Sequence, residues 1–267
     1  MAFKRLLVAC ALAMATLGSV AAHAQTLDRI KSTGTLRIAL DPNVPPWSYK
    51  DENLHYAGYE WMVADKFAKD HDLKLEVTET NGANRIPLLV TGRVDLVFAA
   101  MTITDERKKT IDFSLPYGGT EIAISGPVGD GVTSAEGLNG KRVGVARGAL
   151  QDTLVTAADI PGLEIVRFED ESTAITAVLS GQLNYIAQAT SVNTTIMKRN
   201  PSIKIEPKVV LGGGMHGIGM RKGEADLKSW VDEWVRQNME NGELQKMYVE
   251  VHGVPMPEQV VAAATGK

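Results

Sequence analysis

Two extended segments, residues 120–127 and 209–220, constrain this chain more than any other feature. Both are rich in glycine and β-formers and carry no helical period. They interrupt a regular alternation of short strands and helices. Strands are expected at 36–40, 73–77 and 94–100, with helices at 59–69 and 86–91, the second stopped by Gly92. Along 59–69, Tyr59, Met62, Val63 and Phe67 fall on one face. After residue 117 the pattern restarts, with strands at 142–146, 163–168 and 184–187 and helices at 150–158 and 172–179. Such alternation argues for α/β units with mainly parallel sheets. If both extended segments are crossovers, a second lobe (120–211) is inserted into a first lobe made of 25–119 and 212–256. The first lobe then resumes with a helix over 225–239. Leu227, Val231, Trp234 and Val235 lie there at core spacing, so Trp234 reads as packing. Gly242 breaks that helix, and the small, polar tail 257–267 is expected to fray.

The N-terminus reads as an export signal. Lys4 and Arg5 form a positive start, 6–20 an apolar run, and Ala22-His23-Ala24 a small-residue cleavage site. A lipoprotein box ending at Cys10 is the competing reading. Only four residues separate Arg5 from Cys10, too few for the apolar run, so cleavage after Ala24 is preferred. Cleavage removes the only cysteine, and with it disulfide and thiol chemistry. It also removes Lys4 and Arg5, moving the formal charge from −4 to −6. A mildly acidic, evenly mixed chain is a poor nucleic-acid binder, and no second long apolar run follows. The expected location is the periplasm.

The richest chemistry lies in 91–117. An apolar run, 94–100, delivers two threonines and then Arg107. Thr104 and Asp105 sit where a helix N-cap and first turn belong, so free N–H groups and the Arg107 guanidinium share one end. That arrangement suits a small carboxylate, because a guanidinium donates two parallel hydrogen bonds to it. A solvated charge run over 105–109 is the plainer reading of the same residues.

Together these features resemble the family 3 solute-binding proteins, periplasmic receptors of ABC importers for polar amino acids. The resemblance covers residues 33–254. It is carried by Gly34-Thr35-Leu36-Arg37-Ile38-Ala39-Leu40-Asp41, Pro45-Pro46-Trp47-Ser48-Tyr49, Asn84-Arg85-Ile86-Pro87-Leu88-Leu89, Gly92-Arg93-Val94-Asp95, Thr102-x-Thr104-x-x-Arg107 and Asp112-Phe113-Ser114-x-Pro116-Tyr117. It implies an α/β, two-lobed periplasmic-binding-protein fold of type II. Each lobe is a mainly parallel sheet flanked by helices, and two hinge strands join the lobes, which close on the ligand.

The resemblance places Arg107, Thr102 and the backbone of Ala100 around a ligand carboxylate. From the second lobe it adds the turn with Ala149 and Leu150, and Gln188 at the end of a strand. Ala149 stands where relatives often have a hydroxyl, and Ala189 where they usually have an aspartate for the ligand's ammonium. Val44 and Gly82 replace the usual aromatic clamp, leaving Trp47 and Tyr185 as substitutes. Asp41 is expected at the ligand's polar end, with Glu121 as a second candidate for an amine. The ligand is then a polar or cationic amino acid, or a carboxylate without an α-amine. No cofactor and no metal are implied. The partners are the small-molecule ligand and ABC permease subunits, and the protein is expected to be a monomer.

The rival readings are weaker. Some relatives are cyclohexadienyl dehydratases with a glutamate after the second-lobe strand, but here Ser191-Val192-Asn193 occupies that region. His55, His71, His216 and His252 show no metal-ligand spacing. Gly212-x-Gly214-x-x-Gly217 matches a dinucleotide fingerprint but leads into an extended run, so it reads as a flexible hinge with His216 at the cleft's edge. A sensory module would need a separate signalling chain.

Overall fold

The computed structural model describes residues 25–267. The export signal and the Cys10 alternative lie outside them. Helix α1 (Gln25–Thr33) precedes β1 (Thr35–Leu40), and a short three-stranded antiparallel sheet follows: β2 (Asn43–Val44), β3 (Ser48–Lys50) and β4 (Tyr56–Ala57). Helix α2 (Tyr59–Asp70) buries Tyr59, Val63 and Phe67, the face expected from their spacing. Next come β5 (Lys74–Glu79), α3 (Arg85–Val90), β6 (Leu96–Phe98) and α4 (Asp105–Thr110). The run 94–100 is shorter as a strand than its apolar character suggests, because Ala100 turns to φ 46° and leaves the extended region.

The extended segments are longer than expected. Strand β7 (Ile111–Pro127) and strand β11 (Ile205–Arg221) are each 17 residues, antiparallel, and paired from Ile111 opposite Arg221 to Pro127 opposite Ile205. Between them lie β8 (Arg142–Ala146), α5 (Leu150–Ala157), β9 (Glu164–Phe168), α6 (Glu171–Leu179), β10 (Tyr185–Ala189) and α7 (Val192–Arg199). The eight-stranded sheet runs β5-β1-β6-β11-β7-β10-β8-β9. Strand β1 is parallel to β5 and β6, and β8 is parallel to β9 and β10. The two parallel halves meet only through β11 and β7. At their crossing a Cβ on Gly213 would overlap the Thr120 carbonyl, and one on Gly214 would lie 2.7 Å from Thr102 Cγ2. Close approach of two backbones accounts for Gly213 and the Thr102 side chain for Gly214, and the motif continues into strand rather than opening a helix.

The two lobes have different cores. The first packs large aromatic residues, among them Phe67, Phe98, Tyr59, Tyr117 and Trp234, under α2 and α8 (Ala225–Glu240). Trp234 is buried against Phe67, as its spacing implies. The second lobe uses Ala, Val, Ile and Leu, joined by Tyr185. The tail does not fray. After α9 (Glu243–His252), residues Glu258–Thr265 form α10, and Val260 and Ala264 at i,i+4 spacing bury against the first core. Val260 sits on the first hinge strand: a Cβ on Gly119 would come within 2.9 Å of its Cγ2.

Candidate ligand-binding cleft

Six loops meet where the two halves of the sheet face each other. Each follows the carboxyl end of a parallel strand: β1, β5, β6, β8, β9 and β10. Ligands of α/β sheets bind at such strand ends. The lining residues enclose ≈ 410 Å³, solvent-open space included. The lobes touch around this space. Trp47 Nε1 donates to Ser191 Oγ at 3.2 Å, Ser172 Oγ donates to the Asn43 carbonyl at 3.1 Å, and the backbone at Gly82 packs on Ala149.

Of the residues expected at the ligand, Trp47, Ala100, Thr102, Ala149, Leu150 and Gln188 line the cavity. Arg107 and Asp41 stand behind it. Arg107 is half-buried in the first turn of α4, whose N-cap Thr104 accepts the Arg107 N–H at 3.2 Å, as the sequence suggested. Its Nη1 donates to the carbonyl of Thr102 at 2.9 Å. Among the described residues it has no carboxylate partner, and burial and then the Arg85 charge pull its pKa down to about 9. It remains a cation at neutral pH. The positive φ of Ala100 at the lining is strain of the kind that gathers at binding sites. The Ala149 N–H turns back to the Ala146 carbonyl at 3.4 Å. Asp41 accepts from the Asn43 N–H and side-chain amide through Oδ1, which is the loop-capping role, while its buried Oδ2 has no partner.

Residues 36–253 match the bacterial extracellular solute-binding proteins, family 3. The chain belongs to that family. This family 3 protein is 25% identical to the L-cystine-binding protein TcyJ of Escherichia coli strain K12 over 83% of the chain and 84% of TcyJ. It is 26% identical to an L-arginine-binding protein of Pseudomonas aeruginosa over 80% of the chain and 86% of that protein. A crystal structure of the ancestral amino acid-binding protein AncCDT-1, a precursor of cyclohexadienyl dehydratase, aligns with TM-score 0.77 at 31% identity. It covers 85% of this chain and 100% of its own. The named ligands differ between these relatives, so the cleft residues of this family 3 protein carry the question of its own.

Two cleft residues, Arg85 and Glu171, escaped the sequence reading, and a third, Gln151, belongs to the second-lobe turn that the resemblance assigns to the ligand. Arg85, at the start of α3, lines the cavity almost fully buried; its Nη1 donates to the Ala99 carbonyl at 2.6 Å and its Nε has no partner. Glu171, at the start of α6, lines it from the second lobe with Oε2 unpartnered. Burial, and after it the Asp41 charge, pushes the Glu171 carboxyl well above the usual carboxylate range. Gln151 bridges that wall, its Nε2 donating to Gln188 Oε1 at 3.0 Å and to Glu171 Oε1 at 3.3 Å.

Two other residues lie away from the cavity. Tyr185 belongs to the second core, its hydroxyl donating to Asp130 at 2.6 Å, and Glu121 is exposed to solvent. Neither replaces the missing clamp or amine acceptor. His216 does line the cavity, with its ring centroid 4.5 Å from Trp47; burial, aided by Arg85, lowers its pKa to about 3 and keeps it neutral. Behind Trp47 stand Tyr59, Tyr248 and His252. Trp47 is therefore both packed and part of the wall.

Proposed function

We propose that this protein is the extracytoplasmic receptor of an ABC importer and captures a polar amino acid by hinge closure of its lobes. The observation that supports this reading is a pair of guanidiniums, Arg85 lining one interlobe cavity and Arg107 behind that wall, with no carboxylate bonded to either among the described residues. A buried charge without a partner costs several kcal/mol, so the site is built for an anion that arrives from outside. Unpartnered polar atoms belong to Glu171, Gln188 and His216, which line the same space, and can supply the polar contacts an amino acid needs. The relatives' named ligands, L-cystine and L-arginine, are α-amino acids. On this reading the protein works as a monomer in the periplasm and hands its ligand to the importer's permease.

Thermal shift tests it directly. The purified protein is melted with each of the twenty amino acids, ornithine, citrulline and their deaminated analogues. At 100 times Kd a ligand stabilises by about 2.7 kcal/mol, a shift of a few degrees for a chain this size. At least one amino acid should produce it, and a panel without any response rejects the reading.

A second reading, elimination catalysed in the same cleft, is favoured by one observation: Glu171 is a cavity carboxyl that burial keeps protonated, as a general acid requires. Loss of prephenate on incubation with the protein would select it; none is expected.

A further inference from the structure

The strand end that faces the cavity from the second lobe reads Gln188-Ala189-Thr190-Ser191 and carries no acid. That lobe still delivers one carboxyl to the cavity, from a different strand end. Glu171 opens α6 after β9, is 4% exposed, and lines the cavity with its buried Oε2 unpartnered. Its Oε1 is fixed by Gln151, so the side chain is aimed. No cation is bonded to it among the described residues.

We propose that Glu171 is the acceptor for the ligand's ammonium group, carried by the closing lobe, and that it makes a protonated amine obligatory for tight binding. This rests on the amino-acid reading above and narrows it: the first lobe takes the carboxylate, and the second lobe requires the amine. A deaminated analogue would close the cleft on Glu171 with nothing to meet it.

The charged and titratable groups facing Glu171 are Asp41 beyond β1, Arg85 on α3, Asp170 beside it and His216 on β11. Gln151 on α5 and Gln188 on β10 complete its surroundings. Burial and then Asp41 raise its carboxyl to about 8, with Arg85 opposing. The empty receptor therefore holds a proton there at neutral pH. An ammonium alongside favours the carboxylate, so capture expels that proton. Affinity for an amine-bearing ligand should rise as pH rises towards about 8 and level off above it, where the proton is already gone.

Isothermal titration of the mature protein at pH 7, with the strongest amino acid from the panel and its deaminated analogue, tests this. In buffers of different ionisation enthalpy the wild type should release a proton on binding the amino acid. Glu171→Gln should weaken the amino acid by roughly 30-fold or more, abolish the release, and leave the weak binding of the analogue unchanged. Equal binding of the amino acid by wild type and Glu171→Gln overturns the proposal. So does equal loss of both ligands, which would mark Glu171 as structural. Absence of proton release in the wild type overturns it without any variant. If no amino acid binds the wild type, the proposed function itself falls and this inference with it; if amino acids bind but ignore Glu171, only this inference falls.

Discussion

The two walls of the cleft are built from different materials. The first lobe presents the Arg85 guanidinium and a tryptophan backed by Tyr59, Tyr248 and His252, with Arg107 and the buried Asp41 standing behind them. The second presents a helix start, two glutamines and one glutamate, over a core of mostly small aliphatic residues. The cost of burying charge in the absence of ligand therefore falls mainly on the first lobe, which is already rigid and aromatic. Neutral amides on the second lobe can leave and re-enter water cheaply. On the proposed function the difference teaches that capture and closure are separable: one wall would supply attraction, the other selection and a lid.

Substitutions can break that division. Arg107→Ala should give the largest effect, about 2–5 kcal/mol of binding free energy, seen as loss of the thermal shift with every amino acid. Retained binding would remove the first lobe's claim to attraction. His252→Gln probes the aromatic backing through pH. The folded pKa of His252 is lowered to about 4 by burial, so the unfolded chain takes up the proton first. Stability owed to neutral His252 is complete above its ordinary value near 6.5 and is lost as pH falls towards 4. Wild type should thus lose about 1–2 kcal/mol more than the variant between pH 7 and 4, measured as a narrowing gap in Tm. A constant gap would show that the ring is not desolvated. Val260→Ala, removing two buried methyl groups next to Gly119, should lower stability by about 1.5 kcal/mol in urea unfolding. An unchanged midpoint would return α10 to a frayed tail. The smallest effects belong to the lid. Gln188→Ala and Ser191→Ala should each weaken binding by about 0.5–1.5 kcal/mol, for Ser191 mainly through faster release. A loss as large as that of Arg107→Ala would erase the contrast between the walls.

Much of the architecture was readable because each element announces itself locally. Tyr59, Val63 and Phe67 repeat at helical spacing, glycines end the helices, and 120–127 and 209–220 lack any helical period. The helix at Thr104 and Arg107 follows from the N-cap alone. Arg85 and Glu171 were not readable in that way. Each begins a helix, where a charged residue is ordinarily solvated, and each is buried only because a loop from another part of the chain closes over it. Periodicity describes one element at a time and has no access to that event. Ala100 shows the same limit: nothing in the apolar run announces that this alanine turns to a positive φ at the cavity wall. The helix at the C-terminus was a different kind of omission, since Val260 and Ala264 carried a usable i,i+4 signal among small residues.

The long pairing of β7 with β11 has a mechanical meaning. On the proposed hinge closure, two ribbons zipped on both sides of a glycine crossing would let one half of the molecule swing by twisting while their pairing is kept. The energy released when a solute docks is then left almost whole for holding it, and a receptor made this way can shut and reopen many times without risking its fold.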